Sequence, residues 1–463
     1  MSRGIYWFRR DLRLADNPAL ERACRSHDEL LLVYVDEARD AGVTAGRAWL
    51  RRSLDSLSAD IARIGGRLHV LAGSAERVIP ALAGAAGAEA VHVSALHEPA
   101  ADARDLRMAQ ALARDGVAMR RSAGRLMTEP EMVLSKVSTP YRVFTPFLKA
   151  ARPGWRHRPR AAPERLACFG LPSGMQRLQT SIAAPEPDWD RGFWEVWTPG
   201  ERHAQQRLER FLERLDAYPG ERDCPAVEAT SRLSPHLHFG EISPARALEA
   251  AQRRGGPGAD KFIAELGWRE FAYYVLNHWP DSTTENFNPR FDGIDWRHDE
   301  AWLDAWRHGR TGVPLVDAGM RQLWHEGWMH NRVRMVVASY LTKHMGIHWS
   351  SGASWFMHTL VDADLANNTL GWQWVAGSGV DAAPYHRVFN PVAQSRRFDP
   401  AGAYLRRWLP ELRRLDDSEI HAPWETGASP HGYPARPIVD LATGRAEALE
   451  RLARAPKPAT TTG

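Results

Sequence analysis

The first 130 residues alternate short apolar segments with segments of helical spacing, and this alternation constrains the fold more than any other feature of the sequence. The apolar runs are continuous rather than alternating, which is typical of parallel strands that are buried on both faces. Strands are predicted at residues 4–8, 30–35, 68–71, 90–93 and 117–121. Because parallel strands need helical crossovers, residues 1–130 are predicted to form a doubly wound, Rossmann-like parallel α/β domain.

Two common signatures of nucleotide binding are missing from this α/β region. No Gly-x-Gly-x-x-Gly follows the first strand, and no Walker A motif occurs anywhere in the sequence. The glycine-rich turns that bring backbone N–H groups close to phosphates are therefore absent. The α/β region is not expected to hold a dinucleotide or a triphosphate in the usual way.

The sequence changes character after residue 130. Periodicity is lost and proline, glycine, arginine and tryptophan dominate, as in ARPGWRHRPRAAPERL, so residues 131–200 are predicted to be an interdomain linker. Helical periods then return, with helix starts at the serine-proline pairs of Ser234 and Ser243. Further helices are predicted at residues 201–216, 245–254, 260–277, 300–308, 316–325 and 331–345. Residues 201–463 are predicted to form an all-α domain, with a disordered tail after about residue 450.

Composition limits the function classes. The chain carries 60 Lys and Arg against 56 Asp and Glu, and only five of the basic residues are lysine. Arginine binds phosphates well, so the excess of arginine over lysine is compatible with nucleic-acid binding. A GC-rich codon bias explains the same excess, so the composition does not demonstrate such binding. The three cysteines lie far apart, which argues against a disulfide framework or a thiolate zinc site. The sequence has no long apolar run and no apolar signal core, so the chain is expected to be cytoplasmic and not to associate with a membrane. No metal is expected.

Two short segments of the helical half favour the binding of a charged, planar ligand. Residues 230–234 place three hydroxyls and an arginine at a helix start, which suits a pyrophosphate and equally suits a well-capped helix. Asp362, Asp364 and Asn368 could hold a metal ion, but the segment has no glycine turn or downstream glutamate of a calcium loop. A pair between Arg334 and Asp362 beside a bound planar ring fits the arginine content better.

Tryptophan is unusually abundant in the helical half, and other catalytic signatures are weak. Of 19 tryptophans, 13 follow residue 200, which favours the stacking of planar groups or electron transfer. His325 and His330 have one residue too many between them for a zinc protease, and a hydrolase triad has no support. His236 and His238 are expected to pack locally.

Taken together, these segments resemble the photolyase/cryptochrome flavoprotein family, from WFRRDLRLADNPAL at residues 7–20 to WLPEL at residues 408–412. The resemblance is greatest to microbial class I-type photolyases, which repair cyclobutane pyrimidine dimers (CPDs). It implies an α/β antenna domain, a long linker and a helical domain that binds FAD, active as FADH⁻. It also implies that DNA containing pyrimidine dimers is the partner, that no protein partner is obligatory and that the chain is a monomer.

The resemblance implies roles for individual residues. The positions that match the family's FAD site are Tyr218, Thr230, Ser231, Arg232, Leu233, Ser234, Phe262, Trp328, Arg334, Asp362, Ala363, Asp364 and Asn368, with Asn368 facing flavin N5. The positions that match the electron-transfer chain are Trp372, Trp349 and Trp296. Those that match the catalytic lesion pocket are Glu265, Trp268, Asn331, Met335 and Trp374. The implied DNA contacts are Arg222, Glu265, Trp268, Arg269, Asn331 and Arg332.

Alternatives within the family are separated by single positions. (6-4) photolyases carry histidines where this chain has Asn331 and Met335, and cryptochromes usually differ at the position of Asn368 and often have a long C-terminal extension. A flavoprotein with a degraded repair site is disfavoured because the lesion-pocket set is intact. The antenna chromophore stays open between a folate, a deazaflavin, another flavin and none. Ala100 and Ala101 stand where folate-binding relatives have an Asn-Glu pair, whereas Glu98 and Pro99 match a weak deazaflavin pattern.

Overall fold

Five parallel strands form one sheet in the N-terminal half of the computed structural model, in the spatial order β3-β2-β1-β4-β5. The structure describes residues 1–37, 44–155, 159–184, 188–382, 387–428 and 430–455. The strands are β1 Arg3–Phe8, β2 Glu29–Asp36, β3 Leu68–Ala72, β4 Ala90–Ser94 and β5 Ala118–Ser122. This order confirms the doubly wound α/β domain, because the chain winds outward from β1 in both directions.

Helices cover both faces of the sheet, which is why its strands are continuously apolar. The helices are α1 Pro18–Ser26, α2 Ala45–Arg63, α3 Ala75–Ala86 and α4 Pro99–Arg114. Tyr6 and Phe8 pack on the face covered by α1 and α2. Ile5 and Trp7 pack on the face covered by α3 and α4. Successive side chains of β1 therefore point to opposite faces of the sheet and pack in two separate hydrophobic cores.

The segment predicted to be a linker runs back along the sheet domain. It includes the short helices α5 Phe144–Ala151 and α6 Phe193–Val196. Between them, the backbone N–H of Leu30 donates to Ala167 O at 2.9 Å, and Leu166 N donates to Ile64 O at 2.9 Å. Part of the predicted basic stretch, residues 156–158, lies outside the described residues. The domain limits at residues 130 and 200 stay predictions.

The regular secondary structure described in the C-terminal half is all helical, which confirms the predicted fold class. Its helices are α7 Glu201–Glu213, α8 Tyr218–Glu221, α9 Ser234–Phe239, α10 Pro244–Arg254, α11 Gly256–His278, α12 Glu300–Arg307, α13 Pro314–Glu326, α14 Asn331–Ser339, α15 Trp349–Thr359, α16 Leu365–Ala376, α17 Pro391–Phe398, α18 Ala403–Trp408, α19 Pro423–Thr426 and α20 Leu441–Arg454. The predicted helix 331–345 changes to a π-helix at Tyr340–His344. Helix α20 extends past residue 450, and the rest of the tail predicted to be disordered, from residue 456, lies outside the described residues.

Buried polar contacts join the two halves. The carboxylate of Glu201 accepts the backbone N–H groups of Leu14 and Ala15 at 2.6 and 3.0 Å. The indole of Trp49 donates to Glu241 at 3.0 Å. Within the described ranges, no helix is long and apolar enough to cross a membrane.

Candidate functional site

A cavity of about 380 Å³ lies inside the helical half, lined by α11, α14 and α16 among other elements. Most predicted site residues line it, namely Tyr218, Arg222, Thr230, Ser231, Arg232, Leu233, Ser234, Phe262, Glu265, Trp268, Arg269, Trp328, Asn331, Arg334, Met335, Asp362, Asp364, Asn368 and Trp372. Those that lie outside the lining are Trp296, Arg332, Trp349, Ala363 and Trp374. Residues far apart in the sequence thus meet in one cavity.

One wall of the cavity carries an ion pair. Arg334 Nη2 lies 2.8 and 3.1 Å from the two carboxylate oxygens of Asp362. Arg334 Nε also donates to Met329 O at 2.8 Å, which fixes the plane of the guanidinium. The pair predicted from the sequence is therefore formed, and it keeps a positive charge beside the cavity.

Asp364 is the most strongly held anion of the site. It begins α16 as the N-cap, where its carboxylate accepts the backbone N–H of Asn367 at 3.0 Å. Burial alone would raise the pKa of Asp364. The hydrogen bonds from His238 and Tyr273, together with the charge of Arg125, outweigh burial and hold this pKa well below its usual value. Asp364 therefore stays ionised.

His238 and Arg125 belong to the site although the sequence analysis did not place them there. His238 was expected to pack locally, but it lines the cavity and its Nδ1 lies 3.1 Å from Asp364 Oδ2. Burial lowers its pKa to about 4, so its imidazole is neutral at pH 7. No local signal marks Arg125, because its partners are distant in the sequence.

The hydroxyl-rich segment before α9 forms another wall. Arg232 has a left-handed backbone, with φ of 48°, and its guanidinium stacks 4.5 Å from the Trp328 ring. The indole N–H of Trp328 donates to Ser234 Oγ at 3.3 Å. The segment thus exposes hydroxyls and one arginine to the cavity, the donor set that suits a pyrophosphate.

Glu265 and Trp268 lie on one face of α11 and also line the cavity. The Trp268 ring stacks on Phe144 with centroids 3.8 Å apart and planes 11° apart. The carboxylate of Glu265 accepts a hydrogen bond from Arg222 and lies 3.4 Å from Lys261 Nζ. A carboxylate, a planar ring and cations are thus arranged around an opening of the cavity.

Asn331, Met335 and Arg332 lie on α14 beside this opening. Asn331 is exposed, and its Nδ2 lies 4.0 Å from Met335 Sδ. Arg332 points elsewhere: its Nη2 donates to Asp223 at 2.8 Å and its guanidinium packs 4.5 Å from the Phe398 ring. Arg332 therefore adds positive charge outside the lining.

The three tryptophans predicted to transfer electrons differ in depth. Trp372 lines the cavity and is 2% exposed, and the absence of a side chain at Gly352 leaves room for its ring. Trp349 is 1% exposed and donates to Asn286 at 2.9 Å, whereas Trp296 is half-buried. The His348 ring lies between the last two, 5.3 Å from Trp349 and 5.1 Å from Trp296.

Sequence reasoning missed part of the lining, and most of the missed residues are apolar. The missed residues besides His238 are Leu237, Leu266, Met329, Ala338, Phe356, Leu360, Asn367, Gly371 and Val375. Apolar side chains on a buried helix look alike in sequence whether they face a ligand or a core. Several of them lie one helical turn from predicted residues, and this spacing is the one sequence feature from which they could have been predicted.

Two family models match the chain. The model described as DNA photolyase matches residues 4–164, and the FAD binding domain of DNA photolyase matches residues 262–454. The deoxyribodipyrimidine photo-lyase of Agrobacterium fabrum is 42% identical, with 98% of each chain covered.

Two solved structures are also similar. A bacterial class III photolyase from Agrobacterium tumefaciens superposes with a TM-score of 0.92 at 41% identity, covering 98% of this chain and 97% of that one. An archaeal photolyase from Sulfolobus tokodaii with two FAD molecules has a TM-score of 0.85 at 29% identity, covering 97% of this chain and 99% of that one.

The cavity lies in the helical domain that matches the FAD binding domain model, so the α/β domain and the helical domain together form a two-domain flavoprotein. The chain belongs to the DNA photolyase and cryptochrome family. FAD is its cofactor, and the cavity fits that group. It offers hydroxyls and Arg232 for the phosphates and the Arg334–Asp362 pair for a charged ring. The buried Nε1 of Trp372, on the same lining, has no partner among the described residues.

Proposed function

We propose that this chain uses blue or near-UV light to split cyclobutane pyrimidine dimers in DNA. The observation that carries the proposal is one cavity with two chemically distinct parts. A cofactor part is lined by residues 230–234 and Arg334, and a substrate part opens between Glu265, Trp268 and Asn331. The name of the Agrobacterium fabrum relative supports a pyrimidine-dimer substrate.

Residues 230–234, Arg334 and Asp362 would hold FAD, which would supply light-driven one-electron chemistry when bound in its reduced anionic form. Arg334, held by Asp362, presents a fixed positive charge that favours an anionic ring. Asn368, on α16, donates from Nδ2 to Ala353 O, on α15, at 3.0 Å. This hydrogen bond fixes the orientation of the Asn368 side-chain amide. Asn368 is assigned to the flavin N5 position.

The substrate part binds a base that has left the helix. A dimer inside duplex DNA cannot reach the cavity, so it must be flipped out. Trp268 provides a stacking face that Phe144 holds flat. Glu265 would accept hydrogen bonds from the N–H groups of a base edge and so orient the dimer in the pocket. Arg222 and Arg332 bind the flanking phosphates, for which they exchange their present partners, Glu265 and Asp223.

Asn331 and Met335 argue for the CPD rather than the (6-4) lesion. Both lie at the opening, and neither can donate or accept a proton as a histidine does. The class I-type assignment made from the sequence is revised. The Agrobacterium tumefaciens structure, with a TM-score of 0.92, is described as class III, and we infer that this chain belongs with it.

Photoreduction of the cofactor is proposed to use Trp372, Trp349 and Trp296 in that order. The support is their progression from the cavity lining to a half-buried position. We also propose, from the family resemblance, that the chain is a monomer with no obligatory protein partner. An antenna chromophore (a folate, a deazaflavin or a flavin) and a cytoplasmic location stay predictions.

The test is a repair assay. The purified holoprotein is photoreduced without oxygen and mixed with an oligonucleotide that carries one thymine dimer. Recovery of thymine absorbance under blue light, and none in the dark, is the expected result. If reduced, FAD-containing protein restores no absorbance, the CPD proposal is wrong. Repair of a parallel oligonucleotide with a (6-4) lesion would then reassign the substrate, and no repair of either would indicate a light sensor.

A further inference from the structure

We propose that His348 is a positioning residue of the electron-transfer chain, in which its uncharged imidazole connects Trp349 to Trp296. The inference rests on the proposed function, because that function makes these two tryptophans the outer members of the chain. It concerns the reduction of the cofactor rather than the repair of DNA. It can therefore be tested without a substrate.

The His348 ring contacts both tryptophan rings. Its centroid lies 5.3 Å from that of Trp349, with the planes 36° apart, and 5.1 Å from that of Trp296, with the planes 88° apart. The described residues show no ring contact between Trp349 and Trp296 themselves. Because electron tunnelling weakens steeply with the width of an unfilled gap, a packed ring that contacts both indoles shortens the gap that the electron has to cross.

The start of α15 holds the His348 ring in this place. His348 is the N-cap of the helix, and its Nδ1 accepts the backbone N–H of Ser350 at 3.2 Å. The same nitrogen lies 2.8 Å from Ser350 Oγ. An N-cap side chain satisfies one of the free N–H groups at a helix start. Since Nδ1 acts as an acceptor, the imidazole is neutral and carries its proton on Nε2.

The surroundings of His348 favour the same neutral form. Burial and the nearby His298 lower its pKa, against the opposing charge of Asp292, so the imidazole is uncharged at pH 7. Burial also lowers the pKa of Lys343 to about 7, so this lysine titrates near the same range. The other charged or titratable groups on the segments around His348 are Arg297, His344, Glu447 and Arg451.

The indole of Trp349 is held through its N–H group. It donates to Asn286 Oδ1 at 2.9 Å, and Asn286 Nδ2 donates to Asp292 Oδ1 at 2.7 Å. An amide oxygen is too weak a base to take the indole proton, so an oxidised Trp349 keeps both its proton and its positive charge. A protonated His348 beside both rings would repel this charge and oppose its transfer to Trp296.

The step itself moves one electron and no proton. Trp296 gives one electron to the oxidised Trp349, which returns to its neutral form while Trp296 becomes the oxidised ring. His348 is neither oxidised nor reduced. Trp349 is first oxidised by Trp372, whose own electron has gone to the light-excited cofactor. An added thiol then supplies the electron that restores Trp296.

Three substitutions separate the ring of His348 from its capping role. His348→Asn keeps an N-cap acceptor and removes the ring. His348→Phe keeps a ring that does not titrate and removes the cap. His348→Ala removes both. His325→Phe is the matched control, because the His325 side chain is 50% exposed and its ring lies 5.7 Å from Trp408, which is outside the proposed chain.

The first measurement is the rate at which oxidised FAD in the holoprotein is photoreduced at pH 8 with a thiol. His348→Asn and His348→Ala are expected to slow it by about tenfold or more, whereas His348→Phe and His325→Phe stay close to the parent. Transient absorption is expected to show a longer-lived oxidised Trp349 in His348→Asn. A parental rate in His348→Asn overturns the inference. If Trp296→Phe is also without effect, the proposed relay fails as well.

The second measurement is the pH dependence, which a purely structural role of His348 would not produce. The photoreduction rate of the parent is expected to fall several-fold from pH 8 to pH 5, as the imidazole gains its proton. In His348→Phe the rate is expected to stay level. NMR titration of ¹⁵N-labelled histidine, assigned with His348→Asn, gives the pKa that the midpoint of the rate has to match. A slope that persists in His348→Phe belongs to another group, such as Lys343, and overturns the inference.

Discussion

Arg125 places its guanidinium 3.6 Å from the carboxylate of Asp364, measured from Nη2 to Oδ2, although it follows the last strand of the sheet and Asp364 caps a helix of the FAD-binding half. Arg125 Nη1 also lies 3.0 Å from Glu98. The guanidinium is almost fully buried, and it holds two carboxylates from opposite halves of the chain. The ion pairs therefore link the α/β domain directly to the cofactor cavity.

Replacement of Arg125 by Met is expected to destabilise the protein by about 3–5 kcal/mol, because removing one partner leaves buried charges uncompensated. FAD is expected to dissociate more readily, since Asp364 lines its cavity. Urea unfolding and flavin absorbance after gel filtration measure the two effects. In the control, Arg254→Met removes an exposed pair with Asp216 and costs less than about 1 kcal/mol. Similar losses in both variants would contradict the role of Arg125.

Gln373 separates Trp372 and Trp374, and its buried amide uses both donors and both acceptor positions. It accepts from Phe287 N at 2.9 Å and from Ser378 Oγ, and it donates to Ser282 O at 2.6 Å and Glu285 O at 2.8 Å. Gln373→Leu is expected to lower the free energy of unfolding by at least about 3 kcal/mol, since each unsatisfied buried group costs about 1–3 kcal/mol. Chemical denaturation measures the loss, and a loss below about 1 kcal/mol would show that the amide is dispensable.

The sheet and the helical half were predictable because their signals are local. Continuous apolar runs identify buried parallel strands, and the predicted helix start at Ser243 is confirmed, with its side chain accepting Arg246 N at 2.9 Å. Most of the cavity lining was implied by the family resemblance, and only residues 230–234 and the group of Arg334, Asp362, Asp364 and Asn368 stood out from the residue pattern itself.

The parts that could not be predicted depend on tertiary contacts. The partners of Arg125 and of His238 come from distant segments, and no periodicity reports which buried polar groups meet. The residue types also do not predict that the helix expected at residues 331–345 changes to a π-helix at Tyr340–His344. Local pattern therefore predicted the helices and strands, and the family resemblance predicted many site residues, but neither predicted the polar network that holds them.

Glu265→Ala is expected to lower the repair yield per absorbed photon several-fold while leaving FAD content near that of the parent. Glu265 lies in the substrate part of the cavity and is only half-buried, so its loss should not unfold the cofactor site. Quantum yield under single-turnover conditions and flavin absorbance are the measurements. Lys261→Ala removes a neighbour of Glu265 outside the cavity lining and serves as the control. Purification of Glu265→Ala without flavin would make Glu265 a structural residue instead.

Trp296→Phe is expected to slow photoreduction of oxidised FAD by about tenfold or more, because the outermost easily oxidised ring is lost. Repair by chemically pre-reduced protein is expected to stay nearly unchanged, since the dimer does not need this route. Flavin absorbance under blue light gives the first rate, and the thymine-dimer assay gives the second. Trp302→Phe is the control, since Trp302 packs under Arg297 at 4.3 Å and has no place in the proposed chain. Equal loss of both activities would reject the relay.

Glu270 gives the protein a pH dependence of stability that can be assigned to one residue. Burial raises its pKa from 4.5 to about 7, against the opposing effects of Arg269 and of the backbone N–H groups of Met127 and Thr128. Between about pH 4.5 and 7 the folded state therefore keeps a proton that the unfolded chain has lost. The contribution of Glu270 to stability is full below pH 4.5 and is lost as the pH rises towards 7.

Glu270→Gln is expected to remove this contribution, because glutamine does not titrate. The free energy of unfolding, measured by urea at pH 5, 6, 7 and 8, should fall with rising pH more steeply in the parent than in Glu270→Gln. Glu300→Gln is the matched control, since the Glu300 side chain is 87% exposed and should leave the slope unchanged. Parallel curves for the parent and Glu270→Gln would mean that Glu270 is already ionised at pH 5, held by Arg269, whose Nη1 lies 3.0 Å from Glu270 Oε1. The ion pair would then outweigh the cost of burial.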